Sequence, residues 1–600
     1  MSLTSGASTQ PFSDTPDLQR RLDEAAADRR PDDSADPAPA NSGLPVVPRH
    51  PVPVAQEGKN VDAPSASPIS IAELDEALRR ASLTSLPDAR LIVAHHRPPK
   101  TTDPAVIPLP HTTSHRDLVG VVQRTEDVCF TLCIPFHDNP ALPPSPRFIQ
   151  SRLTCHIYYD PASDDCVIVN KSTTLFLLTG ICPDQGRKPL HNGEARVVQP
   201  GTWRISVAYG SDFAEQTLVD FLILRRQFSV TIHEAPLSLA SSRKRSAADT
   251  EDTRLKKRRH EGDITEILLA AAPDDDGADD NAGLKMTSTR TASRQLVHTK
   301  GTPLLDLGRG EVAVIRGPRR SHGDVSTEGS AMYDLRRLEK VADTPSASLF
   351  TGRHSGLPVD VVAKVIRYTG KTAVDLVKCA RSWQQEKAVL EKLHHANIIS
   401  LKAFDGRLFA MYVERLPGSL NRGDESPFAP HEARTILRDV ASALSYITAQ
   451  NIAHNDIKPA NIAYSPERGA VLLDFGLATA LNVPAMLGGT PWYIPPDLIT
   501  RQSRGAPGDI WALGVTMLYV LAKVILPERT MRGWLIREVM TENSEARAKM
   551  IKWLDDVQAE RESLSSSDVV ENIVYKMLDP AAKARIDATQ IVAALADARP

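Results

Sequence analysis

Residues 452–461 read Ile-Ala-His-Asn-Asp-Ile-Lys-Pro-Ala-Asn, placing a carboxylate (Asp456), an ammonium two positions later (Lys458) and an amide five positions later (Asn461) in one short loop. Side chains of these types at this spacing can face one cleft, where they suit phosphoryl transfer. The carboxylate can accept the proton of an attacking hydroxyl, the ammonium can neutralise the moving phosphoryl group, and the amide oxygen can hold a metal ion. The same residue types also serve as turn formers that bond their own backbone, so the loop alone does not decide.

The neighbouring elements add to it. Residues 470–473 form a short apolar run that ends at Asp474-Phe475-Gly476, and Ser465-Pro466-Glu467-Arg468-Gly469 supplies a turn. The predicted hairpin returns Asp474 beside Asn461, so two metal ligands converge. Upstream, residues 361–366 are a β-branched strand carrying one cation, Lys364, which is costly there unless an anion faces it. Glu386 is the candidate anion. It follows Trp383 by three residues and precedes Leu390 by four, sharing their face on a helix. Leu437, Val440, Leu444 and Ile447 have the spacing of a buried helical stripe that delivers the 452–461 loop.

These motifs, in this order, resemble the eukaryotic protein kinase family over residues 335–598. The resemblance implies an α+β bilobal kinase fold, ATP and Mg2+ as cofactors, and protein substrates. It implies that Lys364 and Glu386 pair at the nucleotide phosphates, that Asp456 is the catalytic base beside Lys458, and that Asn461 and Asp474 hold Mg2+. It puts Val341, Leu349 and Ala363 around the nucleotide and Glu414 in the connection between lobes, read at residues 412–414. Pro495-Pro496-Asp497 is a variant of the Ala-Pro-Glu motif, and Asp509-Ile510-Trp511, Gly514 and Arg585 fit the helical lobe. Lys458 and Gly489-Thr490-Pro491-Trp492-Tyr493 are similar to the serine/threonine branch.

Two departures from the family pattern are legible. The glycine-rich loop falls on residues 341–349, where Ala342, Thr344 and Ala347 replace the three glycines and Pro345 removes a donor, restricting backbone approach to the phosphates. Asn455 stands where most relatives carry the arginine that holds an activation-loop phosphate, and the hydroxyls between Asp474 and Asp497 are Thr479, Thr490 and Tyr493. Both imply regulation by another route. The alternative to an enzyme is a pseudokinase scaffold that binds phosphoprotein partners through its N-terminal domain. Retention of Lys364, Asp456, Asn461 and Asp474 favours the enzyme.

Among 600 residues, 45 prolines and only 5% aromatics imply that much of the chain builds no core, leaving two folded domains. A net charge of -3 gives no overall bias towards nucleic acid or membrane. Residues 1–117 are read as a disordered Pro/Ser/Ala-rich tail, with a short amphipathic helix possible where Ile71, Leu74 and Leu78 share a face. No secretory signal is read at the start, and the apolar run 510–526, interrupted by Lys523, is expected to be a buried helix rather than a membrane span.

Residues 118–235 carry spaced β-branched runs, the pattern of an all-β sandwich. The order His156-Ile157, Val167 to Thr173, then Pro200 to Ile205 resembles a forkhead-associated (FHA) domain, a family that reads phosphothreonine. That resemblance implies Arg147, Arg152, Ser172 and Thr173 as phosphate contacts, although Leu153-Thr154-Cys155-His156 and Thr174-Leu175 depart from the family's motifs. Five cysteines between Cys129 and Cys182 lack metal-site spacing and read as small apolar residues.

Residues 236–330 are read as a disordered linker with no specific nucleic-acid binding. Within it, Arg243-Lys244-Arg245 and Lys256-Lys257-Arg258-Arg259 are ten residues apart and resemble a bipartite nuclear import signal, implying import receptors as partners. A hairpin is expected at residues 302–315 and the kinase domain at 331–598.

Overall fold

A computed structural model describes residues 89–95, 106–108, 117–136, 151–180, 186–209, 214–234, 293–296, 302–317, 332–481, 483, 488–501, 505–530 and 532–597. The N-terminal amphipathic segment, the two basic clusters, Arg147 and Cys182 lie outside them.

Eleven strands among the described residues precede residue 224: β1 Ala89–His95, β2 Val106–Pro108, β3 Asp117–Val122, β4 Cys129–Phe136, β5 Ser151–Tyr159, β6 Cys166–Asn170, β7 Phe176–Gly180, β8 Arg187–Leu190, β9 Ala195–Val198, β10 Gly201–Tyr209 and β11 Ala214–Ile223. They form a seven-stranded sheet in the order β2-β3-β1-β11-β10-β7-β8 and a four-stranded sheet, β4-β5-β6-β9. Period-two alternation sends Leu153, Cys155, Ile157 and Tyr159 of β5 into the same core as Leu91, Val93, Trp203, Ile205 and Phe221 of the facing sheet, so the two sheets form a sandwich. Asp220 is fully buried because Arg204, its direct cross-strand partner, meets it at 2.7 Å.

The tail read as disordered through residue 117 therefore ends earlier. β1, β2 and the start of β3 lie within 1–117 or at its border, and Leu91, Ile92 and Val93 are buried. Arg90 is accommodated there by donating to the Asp164 carbonyl at 2.6 Å and lying over the Tyr159 ring.

A further sheet has eight strands. It adds β12 Ser229–His233, β13 Ser293–Leu296 and β14 Val312–Arg316 to β15 Tyr333–Asp343, β16 Ala347–His354, β17 Val361–Ile366, β18 Leu401–Asp405 and β19 Ala410–Glu414, in the order β13-β12-β14-β15-β16-β17-β19-β18. This corrects two expectations. The run 228–232 belongs to the C-terminal domain, not to the sandwich, because β12 pairs with β14 and buries Val230 and Ile232 beside Ala313, Ile315 and Tyr412. Residues 302–315 are not a hairpin: Pro303 starts a 3-10 turn, Pro303–Asp306, and one strand follows.

The helix Ala373–Leu390 packs under this sheet, capped by Thr372, whose side chain accepts the Asp375 N–H. The rest of the domain is mainly helical. Leu437, Val440, Leu444 and Ile447 of the helix Pro430–Ala449 are all at most 1% exposed, as their spacing predicts. The apolar stretch from Ile510 lies in the buried helix Ala506–Val520, and among the described residues no helix is long and apolar enough to cross a membrane.

Candidate active site

Lys364 sits in β17 between buried Ala363 and Val365 and points to the cleft below the sheet. Its Nζ lies 2.6 Å from Glu386 Oε1 and 2.8 Å from Asp474 Oδ1. Glu386, with Trp383 and Leu390, is on the buried face of the Ala373–Leu390 helix. Burial disfavours the Lys364 ammonium, but Asp474 and then Glu386 outweigh it and raise its pKa above the ordinary lysine value. Desolvation in the cleft likewise opposes the Asp474 carboxylate, and Lys364 outweighs it, holding that pKa below the ordinary aspartate value. For Glu386 burial prevails, and its pKa is raised.

The predicted hairpin exists as Ile462–Ser465 paired with Gly469–Leu472, and Leu473 N–H donates to the Asn461 carbonyl at 2.8 Å. Asp474 follows in a left-handed conformation, φ 57°, which a non-glycine residue adopts at some cost and which turns its carboxylate towards Lys364.

The 452–461 loop is anchored from below. Asp509, near the start of the helix Ala506–Val520, accepts the backbone N–H groups of His454 and Asn455 at 2.7 and 2.8 Å. His454 is fully buried, its Nε2 2.8 Å from the Leu473 carbonyl oxygen and its ring edge-on to Phe475. Asp456 stands above this base. Its Oδ2 is 2.8 Å from Lys458 Nζ and accepts from Asn461 Nδ2 at 3.0 Å, while its Oδ1 accepts the Thr490 hydroxyl at 2.9 Å. Lys458 Nζ also donates to Thr490 Oγ1 at 2.7 Å. Because Asn461 gives Nδ2 to Asp456, its side-chain oxygen remains as the acceptor that a divalent cation could share with Asp474. The residues present thus fit Mg2+.

Such an arrangement brings the Asp456–Lys458–Thr490 cluster, Asn461 and the Glu386–Lys364–Asp474 contact together. The protein kinase domain family matches residues 345–595. This chain carries a protein kinase domain. It is similar to serine/threonine-protein kinase PLK4 of Drosophila grimshawi, 35% identical over 149 residues, which are 23% of this chain and 19% of that protein. PLK4 of Drosophila ananassae is 34% identical over 185 residues, 29% of this chain and 24% of the relative. Serine/threonine-protein kinase TIO of Arabidopsis thaliana is 32% identical over 197 residues, 31% and 15% of the two chains. The chain thus spans a quarter or less of the length of these relatives.

Other site residues of the kinase domain fall as follows. Ala363 is fully buried, Leu349 half-buried and Val341 exposed on the β15–β16 hairpin. β15 runs to Asp343 and β16 starts at Ala347, and the backbone N–H groups of Thr344 and Ala347 are spent on Ala347 O and Thr344 Oγ1. Asp343 further ties the hairpin down by accepting from Ser348 and Arg367 at 2.7 and 2.9 Å. Tyr412 and Val413 are buried in β19, so the connection between lobes starts beyond Glu414, whose carboxylate holds Arg468 at 3.0 Å. Asp497 and Arg585 meet as a buried pair at 2.9 Å.

Three partners escaped the sequence reading. Asn455 donates Nδ2 to Leu477 O at 3.0 Å and Thr479 Oγ1 at 2.9 Å. Gln385 donates to Ala478 O at 2.7 Å, and Thr490 bridges Asp456 and Lys458. Hydroxyl and amide partners of this kind carry no charge pattern by which spacing could reveal them.

In the sandwich, Ser172 does not fit the phosphate-contact expectation. Its hydroxyl accepts from Thr154 N and donates to Thr154 O at 3.1 Å, so its single hydrogen is used. Thr173 is exposed, and the Arg152 side chain is outside the described residues. Cys155 and Cys166 are fully buried as apolar filling, and no cluster of three or more His, Cys, Asp or Glu side chains suited to a metal is found among the described residues.

Proposed function

We propose that the protein transfers the γ-phosphoryl group of ATP, with Mg2+, to serine or threonine hydroxyls of protein substrates. The observation that carries this reading is the Lys364 ammonium held between Glu386 and Asp474. An ammonium so placed can orient nucleotide phosphates beside the cation ligands Asn461 and Asp474. Asp456 would accept the substrate proton, and Thr490 marks where a hydroxyl can reach it. Lys458, touching both, would offset charge on the phosphoryl group in flight. Mg2+ supplies neutralisation of the phosphate oxygens when bound. The stapled β15–β16 hairpin supports weak nucleotide affinity more than lost chemistry. The deciding experiment is transfer from ATP-Mg to a generic Ser/Thr substrate by the full-length protein. Absence of transfer together with absence of a nucleotide-induced thermal shift would leave the scaffold reading instead.

We further propose that Arg243-Lys244-Arg245 and Lys256-Lys257-Arg258-Arg259 direct the protein to the nucleus through import receptors, where it acts in signalling. The two-cluster sequence supports this.

A further inference from the structure

The four-stranded sheet of the sandwich is apolar on both faces. Along β5 and β6, Cys155, Ile157, Cys166 and Ile168 enter the sandwich core, while Tyr158, Val167 and Val169 belong to a different cluster and are each 2% exposed. A sheet covered on one side only would leave that second row in water. The kinase domain covers it. Val128, Tyr158, Ala162, Val167 and Val169 pack in one cluster with Leu376, Val377, Ala380 and Trp383 of the helix that carries Glu386.

Polar contacts bracket the same helix. Before it, the Tyr368 hydroxyl donates to Asp160 Oδ2 at 3.2 Å; within it, Arg381 Nε donates to the Tyr158 hydroxyl at 3.2 Å. Beside it, Gly406 N–H donates to the Thr125 carbonyl. A Cβ at Gly406 would stand 2.9 Å from both Val128 Cγ1 and Trp383 Cη2, so the two domains close there to the distance only glycine allows. The next residue, Arg407, lies over the ring of Phe228 at the start of the kinase-bound strand β12.

We propose that the sandwich is a built-in positioning element for phosphoryl transfer, holding the Ala373–Leu390 helix where Glu386 meets Lys364. The inference rests on the kinase reading above. Elsewhere this helix donates from Trp383 Nε1 to Ala410 O of the sheet and from Gln385 Nε2 to Ala478 O. Neither covers Val377 or Ala380. Removing the sandwich surface would expose that apolar row and free the helix to rotate Glu386 away.

The test uses the full-length protein with Val167→Asp from the sandwich side and Arg381→Glu from the kinase side, and Arg381→Lys as the conservative control. Hydrogen exchange across residues 373–390 should speed up in both disruptive variants. Their kcat should fall by about 5- to 150-fold, the range of ordinary coupling between two sites. The KM for the peptide should stay unchanged, and Arg381→Lys should recover most of the rate. Folded Val167→Asp and Arg381→Glu proteins with parental helix exchange and parental kcat would overturn the proposal. If Val167→Asp does not fold, Arg381→Glu alone decides. If the unmutated protein transfers no phosphate, the kinase reading fails, while the exchange arm still reports whether the sandwich holds the helix.

Discussion

The residue that replaces the family's phosphate-holding arginine gives the sharpest prediction. Asn455 adopts φ 67° and donates its amide to the segment following Asp474, at Leu477 O and Thr479 Oγ1, with a longer contact to Ala453 O. An uncharged clamp of this kind would order the segment without a phosphate. At about 0.5–1.5 kcal/mol net per hydrogen bond, the pair contributes about 1–3 kcal/mol. Asn455→Gly keeps the left-handed backbone and removes only the amide, so it should lower kcat/KM by about 5- to 150-fold if the segment's order is needed in full. Asn455→Ala adds the strain of a left-handed alanine, a further ~1–2 kcal/mol, and should be worse than glycine. Thr479→Ala leaves the Leu477 bond intact and should cost only a few-fold. Kinetics on phosphatase-treated protein, with hydrogen exchange over residues 474–481, measures all three. Treatment itself should do little. A loss above about tenfold on dephosphorylation, or parental exchange and rate in Asn455→Gly, would refute the reasoning.

Asp456→Asn should cut transfer by about 10²–10⁴-fold with nucleotide binding nearly intact, measured by steady-state kinetics beside a thermal shift with ATP-Mg. Lys364→Met should abolish turnover and, by leaving Glu386 buried without its cation, destabilise the domain by about 3–5 kcal/mol in chemical denaturation. The Lys364 contribution is present below the ordinary lysine pKa and fades only as pH rises through its raised value. That of Asp474 is present above the ordinary aspartate pKa and fades as pH falls through its lowered value. Glu386 acts the other way: its raised pKa means that stability falls as pH rises from the ordinary glutamate value through the raised one, and flattens only between there and the ordinary lysine pKa, which a titration of the unfolding midpoint checks. Arg585→Leu strands buried Asp497 and should also cost about 3–5 kcal/mol by the same assay. Replacing Lys256, Lys257, Arg258 and Arg259 by alanine should move a tagged fusion, too large to diffuse, out of the nucleus, as fluorescence microscopy would show.

Residue chemistry and spacing made the Lys364–Glu386 contact legible, because a lysine in an apolar strand and a glutamate on an apolar helix face each require the other whatever the surrounding loops do. The stripe from Leu437 to Ile447 and the 462–472 hairpin were readable for a similar reason: period and turn chemistry are local. What stayed hidden was partner choice. The alternation in β12 marks Val230 and Ile232 as inward but names no sheet, and its hydrogen bonds go to β14, far along the chain. β1 was lost because five apolar residues in a proline-rich stretch average away. In β6 the sequence Cys-Val-Ile-Val-Asn is apolar on both faces, and that continuous run was the available sign that a second surface lies on the sandwich.

Strands β12 and β13 are antiparallel neighbours, with Val230 opposite Leu296, and both belong to the kinase sheet although residues 234–292 separate them. In topology the two strands are the arms of a hairpin. Lengthening the connection between such arms is cheap, about 0.6 kcal/mol for each doubling, so the basic clusters ride on an insertion whose size the fold scarcely feels. Severing the chain there is a different matter. A protease nick within 234–292 should leave two fragments that elute together, held by β12 against β14 and by the sandwich on its helix. A fragment beginning at residue 300 lacks both strands and leaves Ala313 and Ile315 uncovered. The stretch that looks most like a boundary is therefore not a place where a cut yields a sandwich and an intact kinase.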